Sequence, residues 1–249
     1  MVMATPPGAF FLDFVAGGFT DGVADDTVLV GMSNAHLYVR NSATKGDMVT
    51  RSLPVAFALP VTLDYNATDG SRILGPVSHG RTTSLALSAA DSNRVSVTGW
   101  QSVANNEGAE QVFSSSDGGV TWSDVTGNMR NASGVEGKVR PGGLLIVDLK
   151  ENKDRALLVS TANGVLVSFD SAPARWTRLG TCNEFPIVLT SSLSYEHYSD
   201  TLAAATMGRG IFSLHGAKAA LLQTRERLTG APSVPESSSA EFFPPQQQP

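Results

Sequence analysis

Four glutamates could supply acid or base chemistry in this chain if two of them faced each other across a depression. Glycoside hydrolases use such a pair of carboxylates, one as general acid and the other as base or nucleophile. The glutamates in suitable polar segments are Glu107, Glu110, Glu136 and Glu184. Glycoside hydrolysis is therefore one hypothesis for the function.

A second set of side chains favours binding without catalysis. Rings, amides and guanidinium groups are the polar groups that line carbohydrate and peptide sites. The predicted ligand-binding residues are Asn34, His36, Trp100, Arg130, Arg140, Asn163 and Arg209. On this hypothesis the chain binds a protein or a glycan, and none of its residues is catalytic.

The composition excludes several other classes of function. Cys182 is the only cysteine, which rules out an internal disulfide and a cysteine-based zinc site, and the four histidines lack metal-ligand spacing. The net charge is −5 and the basic residues are scattered, so a nucleic-acid partner is not expected. No cofactor and no metal are predicted.

The pattern of the first residues, MVMATPPGAFFLDFVAGG, predicts neither a signal peptide nor a membrane span. A basic start is missing, and Asp13 interrupts the apolar run.

The elements that must position these side chains are short β-strands. Runs rich in Val, Leu, Thr and Phe alternate with Gly, Asp, Asn and Ser from residue 10 to 215, and no helical period is found there. The runs recur in groups that fit four-stranded units. Four units are expected, or five if the segment VTLDYNATDGSRILGPV forms one of its own.

The stretch SSSDGGVTW resembles the Asp-box, Ser-x-Asp-x-Gly-x-Thr-Trp, through Ser115, Asp117, Gly119, Thr121 and Trp122. This repeat is shared by sialidases, sortilin-type receptors, xyloglucanases and photosystem II assembly propellers. VSFDSAPARW is similar to a degenerate second copy, with Ser168 and Asp170 in place and Trp176 one position late. TLAAATMGRGIFSL resembles the strand pair of a last blade.

The resemblance implies an all-β propeller with Asp-box blades over residues 10–215, either small or the C-terminal part of a larger one. The box is then a turn between the third and fourth strands, where Asp117 accepts hydrogen bonds from its own loop. The ligand face lies at the opposite end. An incomplete propeller would expose strand edges to self-association.

The resemblance favours a non-catalytic binding or assembly module, with a sialidase-like or xyloglucanase-like glycoside hydrolase as the alternative. A sialidase would need an Arg-Ile-Pro segment, which the chain lacks, and Tyr195-Glu196 falls on the wrong face. A sortilin-type receptor would need a cysteine-rich companion domain. The resemblance also favours a secreted or organellar location.

The composition changes after His215. Residues 216–230 predict a short helix or a closing strand, and residues 231–249, rich in Pro, Ser and Gln, predict a disordered tail.

Overall fold

The computed structural model describes thirteen segments of the chain, most of them in β-strands. They are residues 11–20, 23–24, 27–32, 36–40, 48–52, 63–65, 72–74, 80–101, 109–132, 142–149, 154–180, 187–230 and 241–243. These residues form four four-stranded antiparallel sheets, two short hairpins and one α-helix. The chain divides into two compact units, residues 1–124 and 125–249.

The first unit contains sheets 1 and 2, whose strands follow one another across each sheet. Sheet 1 consists of β1 (Phe11–Ala16), β4 (Val28–Met32), β5 (His36–Arg40) and β6 (Val49–Ser52), with the hairpin β2 (Phe19–Thr20) and β3 (Val23–Ala24) inserted after β1. Sheet 2 consists of β9 (Gly80–Leu87), β10 (Val95–Gln101), β11 (Ala109–Ser115) and β12 (Ser123–Asp124). The hairpin of β7 (Leu63–Tyr65) and β8 (Arg72–Leu74) lies between the two sheets in sequence.

One face of each sheet forms the core of the first unit. The two faces are apolar because Val and Leu alternate with polar residues along the strands, which places them on one side. The buried residues are Leu29, Leu37, Val39, Leu85, Val95, Val97 and Phe113. The Asp13 carboxylate also joins the sheets, since it accepts hydrogen bonds from Leu85 N at 2.8 Å and from Ser84 Oγ at 3.1 Å.

The second unit contains sheets 3 and 4. Sheet 3 consists of β13 (Leu144–Asp148), β14 (Arg155–Thr161), β15 (Gly164–Phe169) and β16 (Ala172–Arg178). Sheet 4 consists of β17 (Thr190–Glu196), β18 (Thr201–Thr206), β19 (Gly210–His215) and β20 (Glu241–Phe243). Their shared core includes Leu158, Val167 and Phe169 from sheet 3 and Leu202, Phe212 and Leu214 from sheet 4.

Helix α1 (Ala217–Thr229) is fastened to turns of both sheets in the second unit. The Asp200 carboxylate, after β17, accepts from Lys218 N at 3.1 and 3.2 Å, where a helix start has unsatisfied N–H groups. Arg225 pairs with Asp154, after β13, at 3.5 Å, and both side chains are largely buried. Leu221 is fully buried in the core.

The structure confirms the all-β prediction and decides some of the finer alternatives. Residues 217–229 form a helix, which is one of the two forms expected there. The segment around residues 63–74 is a two-stranded hairpin, so the described residues contain four four-stranded sheets. Within the part of the chain that is described, no helix has the length and apolar character needed to cross a membrane.

The prediction of a disordered tail is wrong at residues 241–243. Glu241–Phe243 forms β20 and pairs with β19, Phe242 opposite Leu214. Composition missed it because the strand is three residues long and its pairing partner lies far away in sequence. The rest of the predicted tail, residues 231–240 and 244–249, lies outside the described residues.

We expect Leu221→Ala to lower the free energy of unfolding by about 2–5 kcal/mol, because it leaves a cavity where α1 meets the core. Gln223→Ala is the matched control, since Gln223 is exposed on the same helix and its loss should change stability by less than about 0.5 kcal/mol. Urea denaturation measures both values. Equal values for the two variants would show that α1 is not packed as described.

Candidate functional site

The Asp-box segment is a hydrogen-bonded turn that joins β11 to β12. Asp117 Oδ1 accepts from Ser115 Oγ at 2.8 Å, Val120 N at 3.0 Å and Thr121 N at 2.8 Å. Its Oδ2 accepts from Thr121 Oγ1 at 2.6 Å. Ser115 Oγ in turn accepts from Gly119 N at 2.8 Å. The carboxylate therefore satisfies donors that the strand ladder leaves unpaired.

These bonds hold the Asp117 carboxylate in its ionised form. Burial alone would raise its pKa, but the hydrogen bonds from Thr121, Ser115 and Val120 outweigh that effect and lower the pKa from 3.8 to about 2. A carboxylic acid with so low a pKa is a poor proton donor near neutral pH. Asp117 therefore stabilises the turn and does not act as a general acid.

Trp122 and Gly119 complete the turn. Gly119 has φ +85°, and a Cβ at this position would lie 3.2 Å from both the Trp122 ring and Leu37 Cδ2. Trp122 packs against the core of the first unit. The glycine is needed for its left-handed backbone and for the close approach of the indole.

The segment that resembles a second copy, VSFDSAPARW, has a turn with different hydrogen bonds. Asp170 does not repeat the role of Asp117, because its carboxylate pairs with Arg155 Nη1 at 3.1 Å. The buried Asp154 instead accepts from Ser171 N at 3.0 Å and Ser171 Oγ at 2.6 Å. Ser168 Oγ donates to Ala172 O at 3.2 Å.

Trp176 is buried and anchored to the segment that follows sheet 2. Its indole N–H donates to Val125 O at 2.8 Å, and its backbone N donates to Asn128 Oδ1 at 2.6 Å. Asn128 Nδ2 returns a bond to Trp176 O at 3.1 Å. Sequence reasoning missed Asn128 and Asp154, whose partners lie 48 and 17 residues away.

The adjacent Tyr195 and Glu196 are engaged in the turn between β17 and β18. The Tyr195 hydroxyl donates to Asp200 Oδ1 at 2.7 Å, and the Glu196 carboxylate accepts from Tyr198 N and Ser199 N. Burial, followed by the bond to Asp200 and nearby negative charge, raises the pKa of Tyr195 far above its ordinary value. The hydroxyl therefore stays protonated and is a poor nucleophile.

Most of the predicted site residues have no described side chain. Asn34, Arg140, Glu107, Glu136 and Glu184 lie outside the described residues. The backbones of His36, Trp100, Glu110 and Arg130 are described, in β5, β10, β11 and the 3-10 helix Met129–Asn131 respectively.

The sequence predicts Trp100 and Glu110 at the two ends of the loop between the second and third strands of sheet 2, but both lie in the ladder. They are directly opposite each other in the β10–β11 ladder, which continues to Gln101 opposite Ala109. The apolar pattern ends before the backbone pairing does, so the sequence predicts the loop too long.

Asn163 and Arg209 lie in the connections between the second and third strands of sheets 3 and 4. Asn163 N donates to Thr161 Oγ1 at 3.0 Å within its turn. Arg209 is exposed between Gly208 and Gly210, which have φ +82° and +74°. Glycines on both sides let the chain reverse tightly and present the guanidinium to solvent.

Large apolar side chains surround the Arg209 turn, where a polar surface was expected. The exposed fractions are 64% for Met207, 61% for Ile211, 44% for Ile187 and 39% for Leu189. Met207 N donates to Leu189 O at 2.9 Å, so the β17–β18 pairing continues into this region. We call these four residues and Arg209 the loop-end patch.

Comparison with known proteins finds no matching family model and no similar curated protein. Over the described segments, no group of three His, Cys, Asp or Glu side chains is placed to hold a metal ion. The loop-end patch combines exposed apolar side chains with one exposed cation.

We expect the stabilising effect of the Asp117 charge to depend on pH. Because folding lowers the pKa from 3.8 to about 2, this stabilisation is present above about pH 4 and is lost as the pH falls towards 2. Asp117→Asn, which resembles the protonated acid, should lower the free energy of unfolding by about 1 kcal/mol at pH 7 and hardly at all near pH 2.

Ser115→Ala is the companion variant for the same denaturant titrations. It removes the acceptor of Gly119 N, a loss that persists at acid pH, together with one of the bonds that lower the pKa of Asp117, so its cost should fall only in part as the pH approaches 2. A cost of Asp117→Asn that is the same at both pH values would contradict the assignment of these bonds to the ionised carboxylate.

Proposed function

We propose that the chain is a non-catalytic protein-binding or assembly module whose four sheets are blades of a β-propeller, with an Asp-box in sheet 2. The four-stranded sheets with successive strands side by side support the blade assignment. The position of the Asp-box between the third and fourth strands of sheet 2 supports it further.

The loop-end patch is the observation that carries the binding proposal. Exposed Met and Ile side chains around an arginine are typical of protein interfaces, in which Met and Arg are enriched. Glycan sites rely on aromatic rings that stack on sugars, and the described patch holds none. A protein segment with apolar and acidic side chains is therefore the partner that fits this surface.

The described turns of sheets 2, 3 and 4 contain carboxylates that are already engaged in hydrogen bonds. Backbone N–H groups of strand turns donate to Asp117, Asp154 and Glu196. A backbone N–H group at the start of α1 donates to Asp200. Such engaged carboxylates serve the fold.

Selection of peptides from a displayed random library on the immobilised chain tests the proposal. We expect apolar, acidic peptides whose affinity falls about tenfold in Arg209→Ala and in Met207→Ser, the size of effect usual for a central contact. Isothermal titration measures each Kd. Phe14→Ser is the matched control, because Phe14 is equally exposed but lies in sheet 1.

A glycan array and a panel of aryl glycosides complete the test. Peptides that bind all three variants with unchanged affinity would contradict the role of the loop-end patch. Reproducible hydrolysis of a glycoside would contradict the non-catalytic proposal.

A further inference from the structure

The side chains of sheet 4 alternate, so that one face is buried in the core of the second unit and the described residues of the other face are exposed or half-buried. Leu202 and Ala204 of β18 point into the core of the second unit, opposite Leu214 and Phe212 of β19. Ala203 and Ala205 lie on the other side, paired with Ser213 and Ile211. We call this second side, with the loop-end patch at its edge, the free face.

The side chains on the free face decrease in size from one end of the strands to the other. At one end are Ile211 and the loop-end patch. Towards the other end come small residues, paired across the strands as Ser194, Ala203 and Ser213. Small side chains there leave space above the backbone, into which larger apolar groups could pack.

The two ends of the free face carry opposite charges. Arg209 lies in the turn at the large-residue end and is exposed. Glu196 closes β17 at the far end and is also exposed; bonds from Tyr198 N and Ser199 N lower its pKa, so it is ionised. Arg209 and Glu196 are therefore charges of opposite sign at the two ends of the face.

We infer that the free face binds the free face of a second copy of the chain, about a two-fold axis that runs the facing strands in opposite directions. The inference rests on the proposed protein-binding role of this surface, takes sheet 4 as the last blade of an open propeller, and names its partner. A two-fold contact repeats the same patch on both copies, so the patch must complement itself.

The grading of size and charge provides that complementarity. Reversal of strand direction places the large apolar end of one copy over the small residues of the other, as in the interleaved cores of packed sheets. The same reversal brings Arg209 of each copy towards Glu196 of its mate. Two ion pairs then fix the antiparallel direction, since a parallel arrangement would oppose like charges.

A charge exchange tests this pairing. Arg209→Glu and Glu196→Lys should each weaken self-association about tenfold or more, because each creates two like-charge contacts per dimer. In an equimolar mixture of the two variants every contact again joins opposite charges, so association should recover. Sedimentation equilibrium measures the Kd against the 26.1 kDa monomer, and thermal melting verifies the fold of each variant.

Phe14→Ser is again the control and should leave the dimer unchanged, since Phe14 lies in sheet 1. A monomeric unmodified chain, a mixture that fails to recover, or a dimer lost in Phe14→Ser would each overturn the inference. If the chain is monomeric but peptide binding still depends on Arg209, only the identity of the partner fails. If both measurements fail, the proposed function fails with it.

Discussion

Carboxylates that accept hydrogen bonds from backbone N–H groups stabilise described turns in both units. At a turn these N–H groups have no partner in the ladder, and an unpaired donor costs free energy. Asp117 satisfies two of them between β11 and β12, and Asp154 and Glu196 do so at other turns. Asp200 extends the same interaction to the first turn of α1.

In sheet 4, the hydrogen-bonded acidic residues and the proposed binding surface lie at different ends of the strands. In sheet 4, Glu196 and Asp200 lie at the turn where α1 begins, whereas Arg209 lies at the opposite end of the strands. At the end with Glu196 and Asp200, the carboxylates already accept hydrogen bonds from the backbone. The other end exposes Met207 and Ile211 to solvent, which is where contact with a partner would remove apolar surface from water.

Local patterns in the sequence predicted the strands and the Asp-box turn, because both arise from interactions a few residues apart. Alternating Val and Leu define the faces of a strand, and the bond from Thr121 N to Asp117 spans four residues. Contacts between distant residues were missed. Asn128 bonds to Trp176, 48 residues away in sequence. Asp154, rather than Asp170, accepts the hydrogen bonds in the turn between β15 and β16. Strand β20 pairs with β19 although α1 lies between them in sequence. The exposed apolar residues around Arg209 were missed too, since exposure depends on which strand face is covered.

Hydroxyl-radical footprinting of Met207 and Ile211 tests the central claim most directly, because both side chains are exposed in the free chain. The rate of oxidation is compared between the dilute chain and the same chain bound to its partner, whether a selected peptide or a second copy. Phe14, in sheet 1, serves as the internal reference. We predict several-fold slower oxidation of Met207 and Ile211 on binding and an unchanged rate at Phe14. Binding that leaves Met207 and Ile211 as reactive as before would contradict it.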